Sequence, residues 1–363
     1  MTKAQSDLLS LLSNILFNQP TSVIIRDDIK AEALAQAVSS LITDDYQAIA
    51  QNIRVFNAHE KLTEALDDIP FTTFKGYASA RYYPQPIRRP MGDVDFIVEP
   101  ENYSAAVEKL LNSGYTKTGL EHVRHDAFLK DTVTFELHSE IKGIPNGDDG
   151  IVTESVTVEA KVRSLLSDLI QTAREVKTQQ GKIIIPNDFH HGLIMLLHVA
   201  GHMINDGGVG LRHLCDWAVY VNQVNMVQFR SQLEAVGLWT FACQLTTLST
   251  RYLGLPMQTW AGVWPEEFLD KLMNDILSAG NFGQKEAGRS SFAIIKRTSF
   301  AHMTKKIYPA ANNSLLLPIF MVIYVFRYGF LVLVGKRRFI KATTVLNLKG
   351  RNELYKQFRL FEI

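Results

Sequence analysis

The sequence predicts an α+β protein, and three observations carry that prediction. Short runs rich in β-branched and aromatic residues, at 71–74, 93–98 and 132–139, are separated by stretches with helical spacing. Residues 1–68 show helical periodicity and nothing strand-like. From Asn187 onward the chain again reads as mainly helical. The expected organisation is therefore an N-terminal helical region over 1–68, a strand-containing core over 69–186 and a helical C-terminal domain over 187–363.

Leu8, Leu11, Leu12 and Ile15 alternate with Ser, Asn and Gln, which is the spacing of an amphipathic helix and not of an export signal. Tyr46, Ile49, Ile53 and Phe56 are spaced to cover one face of a longer helix. Pro70 ends that pattern, and strand 71–74 runs into Lys75-Gly76-Tyr77. A strand, a glycine and a helix start form a phosphate cradle, because free amides at a helix N-terminus carry partial positive charge. The same residues also fit a plain strand-to-helix turn.

Strand 93–98 ends the run Arg89-Pro90-Met91-Gly92-Asp93-Val94-Asp95-Phe96-Ile97-Val98 and holds two carboxylates two residues apart. Side chains at i and i+2 share one face of a strand, so Asp93 and Asp95 point one way while Val94 and Phe96 point the other. Hard divalent cations take oxygen ligands and keep phosphates in their shell, so the pair points to phosphoryl or nucleotidyl transfer, with a merely solvated pair as the plain alternative. Glu99-Pro100-Glu101 then opens a helix with an apolar stripe of Tyr103, Val107, Leu110 and Leu111, closed by Gly114. In 132–139, Val133, Phe135 and Leu137 alternate with Thr134, Glu136 and His138, the pattern of a half-buried strand. Glu136 completes a three-carboxylate cluster if this strand lies beside the Asp pair. Residues 146–150 read as a loop, 160–176 as a helical stretch and 182–186 as a short strand.

Asn187 or Asp188 caps a helix bearing His190, His191, Leu193, Leu196, Leu197, His198 and His202. His198 and His202 lie one turn apart on a shared face. They read either as a zinc site, with Asp206, His213 or Asp216 as further ligands, or as core or substrate-facing histidines. The helix lacks the Glu that follows the first His of a metalloprotease motif. The glycines at 207, 208 and 210 read as a flexible turn into the helix of Leu211, Arg212, His213 and Asp216. Farther on, 315–334 is apolar for about twenty positions, the length of a bilayer span. Pro318, Arg327 and Gly329 interrupt it, so a buried or partner-covered helix is expected, with peripheral membrane contact through 315–338 as the alternative.

With 46% hydrophobic residues in 363, the chain can bury a sizeable core, which excludes disorder. Its net charge of +1 excludes a strong overall field steering it to nucleic acid. The basic excess is local, between Lys336 and Arg359, where a solvated helix face competes with contact to phosphate, RNA or anionic lipid. Cys215 and Cys243 are too few for a disulfide framework and fit a reducing compartment, so a cytoplasmic location is expected.

Strand, glycine turn, helix, Asp-x-Asp strand, helix and a strand with a single Glu together resemble the polymerase-β-like nucleotidyltransferase fold. Within it, Lys75-Gly76, the 89–98 run and Glu136-Leu137-His138 look like the bacterial uncharacterised nucleotidyltransferase family. The resemblance extends through His198, His202 and 211–216, over roughly residues 28–335. It implies a mixed sheet flanked by helices, with a helical C-terminal region closing over the nucleotide. It implies two Mg²⁺ ions held by the catalytic carboxylates Asp93, Asp95 and Glu136. It further implies a nucleoside triphosphate bound by Lys75, Gly76, Arg89, His138, His198, His202 and Arg212, with Lys75 and Arg89 on the phosphates. The turn reads Gly76-Tyr77 where the wider superfamily has Gly-Ser or Gly-Gly. The expected reaction moves NMP from an NTP to a hydroxyl or phosphate acceptor and releases pyrophosphate. No motif selects among a small molecule, a glycan, a peptide and RNA as acceptor. A catalytically silent nucleotide- or partner-binding protein and a metal-dependent hydrolase using His198 and His202 are the other function classes.

Overall fold

The computed structural model describes residues 1–118, 125–146, 151, 156–178, 181–205, 208–280, 304, 307–313, 315–333, 354 and 356–363. Four helices precede the first strand: α1 (Lys3–Leu16), α2 (Asp27–Ala35), α3 (Ser39–Ile42) and α4 (Tyr46–Ala65). The α1 helix starts in a capping box, Thr2 and Gln5 each bonding the other's backbone amide, and buries Leu8, Leu11 and Leu12 as its spacing requires. Of the face expected on α4, Phe56 packs against the sheet's apolar cluster, but the helix buries mainly a neighbouring face. Tyr46 is 79% exposed and Ile53 is also exposed, whereas Asn52, Val55, His59 and Leu62 are buried. The polar members of that face bond to backbone groups, although His59 Nε2 has no partner among the described residues. Asn52 donates to the Ile87 carbonyl at 2.8 Å and accepts from the Met91 amide at 2.9 Å, and His59 Nδ1 donates to the Val55 carbonyl at 2.8 Å. Hydrophobic spacing alone could not find a packed face whose polar groups have partners elsewhere in the chain.

Then come β1 (Phe71–Phe74), α5 (Gly76–Ala80), β2 (Asp93–Val98), α6 (Tyr103–Asn112), β3 (Thr116–Lys117), β4 (His125–Lys130) and β5 (Val133–His138). They form a five-stranded mixed sheet of order β1-β2-β5-β4-β3. Only β2 and β5 run parallel, with Val94 opposite Phe135, Asp95 opposite Glu136 and Phe96 opposite Leu137. One sheet face therefore carries Val94, Phe96, Val98, Phe135 and Leu137, packed with Val55 and Leu62 of α4 and Ala106 and Leu110 of α6. The other face carries the acidic residues. In α6, Gly114 ends the helix at φ +82° as expected, but Leu111 of the anticipated stripe is exposed.

The helical reading of 160–176 holds only in its first part. Helix α7 (Val156–Leu165) stops early, and β6 (Arg174–Lys177) pairs antiparallel with β7 (Lys182–Ile185). A four-residue polar strand has almost no intrinsic signal; its antiparallel partner β7 supplies the hydrogen bonds, and Val176 packs with Ala78, Ile183 and Ile185. Strands β3 and β4 were likewise not anticipated.

The C-terminal helices are α8 (Asp188–Asn205), α9 (Leu211–Val221), α10 (Arg230–Ala235), α11 (Trp239–Leu253), α12 (Glu266–Ala279) and α13 (Leu317–Leu333). Asn187 is the cap of α8, accepting from the His190 amide at 2.9 Å. The leucines of α1 join α8, α9, α11 and α12 in one hydrophobic cluster that also includes Leu354, Phe358 and Phe361. The α13 helix is not buried by the rest of the chain, which corrects the buried half of the expectation and leaves the partner-covered half untested. Ile319, Val322, Val325, Phe326 and Phe330 are all more than half exposed, and Tyr324 is buried. Among the described residues, no helix is long and apolar enough to cross a membrane. Positions 147–150, Asp206, Gly207 and most of the basic run, including 336–338, lie outside the described residues.

Candidate active site

All ten residues singled out from the sequence line one cavity of about 300 Å³ between the acidic face of the sheet and helices α8 and α9. Its floor is set by strand register. Asp93 and Asp95 share a face of β2, Glu136 stands opposite Asp95 on β5, and one carboxylate oxygen from each lies within 4.8 Å of the others. Asp95 is buried, and its Oδ1 accepts from Lys75 Nζ at 2.8 Å and from His138 Nε2 at 2.7 Å. His138 Nε2 is also 3.4 Å from Glu136, whose other oxygen is 3.4 Å from His125 Nε2.

These contacts divide the carboxylates electrostatically. The nearby charge of Asp95, reinforced by burial, pushes Asp93 up to about 6. Burial alone would raise Asp95 too, but the Lys75 ammonium and His138 hold it well below the usual carboxylate range. Glu136 is likewise lowered against its burial, chiefly by its bond to His138. Burial opposes the charged form of His138, yet its bonds to Asp95 and Glu136 raise it above the ordinary imidazole value. Lys75 is raised against burial by the charges of Asp95 and Asp93.

The turn above this floor is strained and tight. Lys75 has φ +61°, a region that a side chain enters at a cost of about 1–3 kcal/mol. Gly76 follows at φ +33°, and a Cβ there would meet His59 Nε2 at 2.9 Å. Since His59 Nδ1 donates to a carbonyl and burial lowers the ring to about 4, Nε2 is a bare lone pair beneath the turn.

Arg89 does not fit the role of phosphate contact in this arrangement. Its Nε and one terminal nitrogen grip Asp216 at 2.8 and 2.7 Å, and the other terminal nitrogen donates to the Pro90 carbonyl. Tyr83 adds a third bond to Asp216 at 2.7 Å. The pair therefore ties the segment before β2 to α9. Arg212, one turn earlier on α9, also lines the cavity; burial and the charge of Arg89 lower its pKa, while Asp93 and Asp216 counter them.

The opposite wall is made of histidines. His198 and His202 face each other through their Nε2 atoms at 2.9 Å, and His213 joins them, with one ring nitrogen of each within 4.8 Å of the others. Burial pushes His198 and His213 well below the ordinary value. Of the extra zinc ligands considered from the sequence, His213 belongs to this group, whereas Asp216 is bound to Arg89. His125, His59, Ser79 and Lys142 also line or support the site and were missed in the sequence. His125 sits opposite His138 on β4, a strand with no clear period, and His59 lies within α4, where nothing in the spacing sets it apart.

The trio of carboxylates on adjacent parallel strands offers oxygen ligands of the kind hard cations take, beside the cationic side chains of a small cavity. The family follows from the chain itself. A family model described as uncharacterised nucleotidyltransferase matches residues 23–254, more than half of the chain, and the chain belongs to that family. The match covers every residue of the site and stops short of 255–335, which the sequence resemblance had included. A search of the curated proteins finds no match.

Proposed function

We propose that this protein is a divalent-metal-dependent nucleotidyltransferase that moves NMP from a nucleoside triphosphate to a hydroxyl or phosphate acceptor and releases pyrophosphate. The observation that carries the reading is the parallel register of Asp95 with Glu136, which gathers three carboxylates beneath Lys75 and Arg212. Family membership supports the transferase class.

The donor set fits hard cations. Asp93 and Asp95 repel each other strongly enough to raise Asp93 to about 6, and all three side chains offer oxygen only. Asp93, Asp95 and Glu136 would hold the metal, which we take to be two Mg²⁺ ions supplying Lewis acidity to the acceptor oxygen and the triphosphate. In the chain's own chemistry, the acceptor oxygen attacks the α-phosphorus, the bond to pyrophosphate breaks, and Glu136 takes the acceptor's proton. Its lowered pKa keeps it ionised for that purpose. Lys75 and Arg212 stabilise charge on the phosphoryl oxygens, and His138 keeps Asp95 and Glu136 in position. Gly76 gives the phosphates close access to the backbone, and His198 and His202 line the nucleotide's side of the cavity.

The test is pyrophosphate release from labelled NTPs with Mg²⁺ and cell extract as the acceptor source. Asp95→Asn is expected to lower the rate by at least about 100-fold. Nucleotide-dependent thermal stabilisation without turnover in the unaltered protein would instead favour a silent, nucleotide-binding member.

A further inference from the structure

The three histidines on the far wall of the cavity form a donor set of a different chemical character from the carboxylates. His198 and His202 project from one face of α8, and His213 comes from the first turn of α9. All three are more than nine-tenths buried. One ring nitrogen of each lies within 4.8 Å of the others. The Nε2 atoms of His198 and His202 already face each other at 2.9 Å, so two ring nitrogens converge on the same small volume. His198 Nδ1, on the other side of the ring from the converging Nε2, has no hydrogen-bond partner among the described residues and leaves the ring free to reorient.

We propose that His198, His202 and His213 form a binding site for a borderline transition metal of the zinc class, separate from the carboxylate trio. Imidazole nitrogens suit zinc, with bonds of about 2.0–2.1 Å, whereas carboxylate oxygens alone suit magnesium. Small side-chain rotations bring three nitrogens within 4.8 Å onto one ion. Three protein ligands would leave a fourth position for water or a substrate atom, and all three residues line the cavity. Lys142 Nζ, 3.4 Å from His202, is the cation that must swing away, and its long half-buried side chain allows it to do so. A second histidine-containing group, His125, Glu136 and His138, is a poorer candidate, because His138 Nε2 already donates to Asp95.

The inference does not rest on nucleotidyl transfer, so the test reads metal and not activity. Untagged, chelator-treated protein is titrated with Zn²⁺ against a chromophoric competitor, and with Co²⁺ while the visible spectrum is recorded. About one tight Zn²⁺ per chain and the intense absorption of tetrahedral cobalt are expected. Both should persist in His125→Gln and in an Asp93→Asn/Asp95→Asn double variant. Affinity should fall at least about tenfold, the smaller loss seen when even a supporting partner of a ligand is removed, in His202→Asn and in His213→Gln. Each variant is checked for an unchanged circular dichroism spectrum; if His213→Gln fails to fold, His202→Asn decides. Retention of zinc in a folded His202→Asn protein, its loss in the Asp variant or in His125→Gln, or failure of the unaltered protein to bind would each overturn the proposal.

Discussion

At the scale of single residues, the site is governed by how closely like charges are held. Asp93 sits at about 6 because Asp95 is its neighbour, well above the ordinary 3.8. A carboxyl raised in this way favours the folded state at low pH, and that contribution disappears as pH rises through about 4 to 6. A divalent cation should restore it only where Asp93 is ionised. The rise in Tm on adding Mg²⁺ or Mn²⁺ is therefore expected to be larger at about pH 7.5 than at about pH 5, and Asp93→Asn should flatten the difference. Equal shifts at both pH values would contradict this reading. Gly76 gives a second residue-scale prediction. Gly76→Ala forces a Cβ against His59 Nε2 at positive φ and should cost about 1–3 kcal/mol in urea unfolding, with the contact part recovered when His59→Ala is added. The acidic trio was legible in the sequence because a strand's period of two settles which side chains share a face. His59 and the capture of Arg89 by Asp216 were not, since each depends on a partner brought close only by folding.

Among the elements, helix α9 matters most to the site, because the buried Arg89–Asp216 pair fastens it to the segment entering β2. Asp216→Asn would leave the guanidinium buried and poorly compensated and remove Tyr83's charged acceptor. A loss of about 3–5 kcal/mol is expected, measured by thermal or denaturant unfolding, with activity falling even where the protein still folds. Stability unchanged within error would show that the pair is dispensable. Gly143, at φ +91° with its virtual Cβ only 2.0 Å from the Leu197 carbonyl, similarly brings the exit of β5 onto α8 beside His198. Strands β2 and β5 could be read from alternating apolar residues, as could α1 and α6. Strands β3 and β6 could not, because short polar strands are stabilised by their neighbours more than by their own residues, and β4 could not because its apolar residues 127–129 run consecutively and do not alternate. The packed face of α4 is hard to read for a related reason: Asn52 and His59 are polar by type, yet each is buried and bonded to backbone groups that only folding brings near, His59 through Nδ1 alone.

For the molecule as a whole, two hydrophobic clusters meet at the cavity. The sheet, α4 and α6 form one; α1 to α3 and helices α8 to α12 form the other, within which Gln36 at the end of α2 donates to the Leu277 carbonyl of α12. Phe358 is fully buried in the second cluster, 5.0 Å from the ring of Phe241 and 5.8 Å from that of Phe268. Phe358→Ala should cost about 3–5 kcal/mol in equilibrium unfolding, and a value near zero would mean that the 354–363 segment does not dock in solution. The strand pairing at the centre has one more consequence. Asp95 meets Glu136 only because Val94 meets Phe135, so sliding either strand by one position would turn its acids into the oily layer and its aromatics out toward water. Alignment of the sheet and assembly of the chemistry are thus a single event, and a misaligned chain is left too unstable to persist as a silent impostor of the folded one.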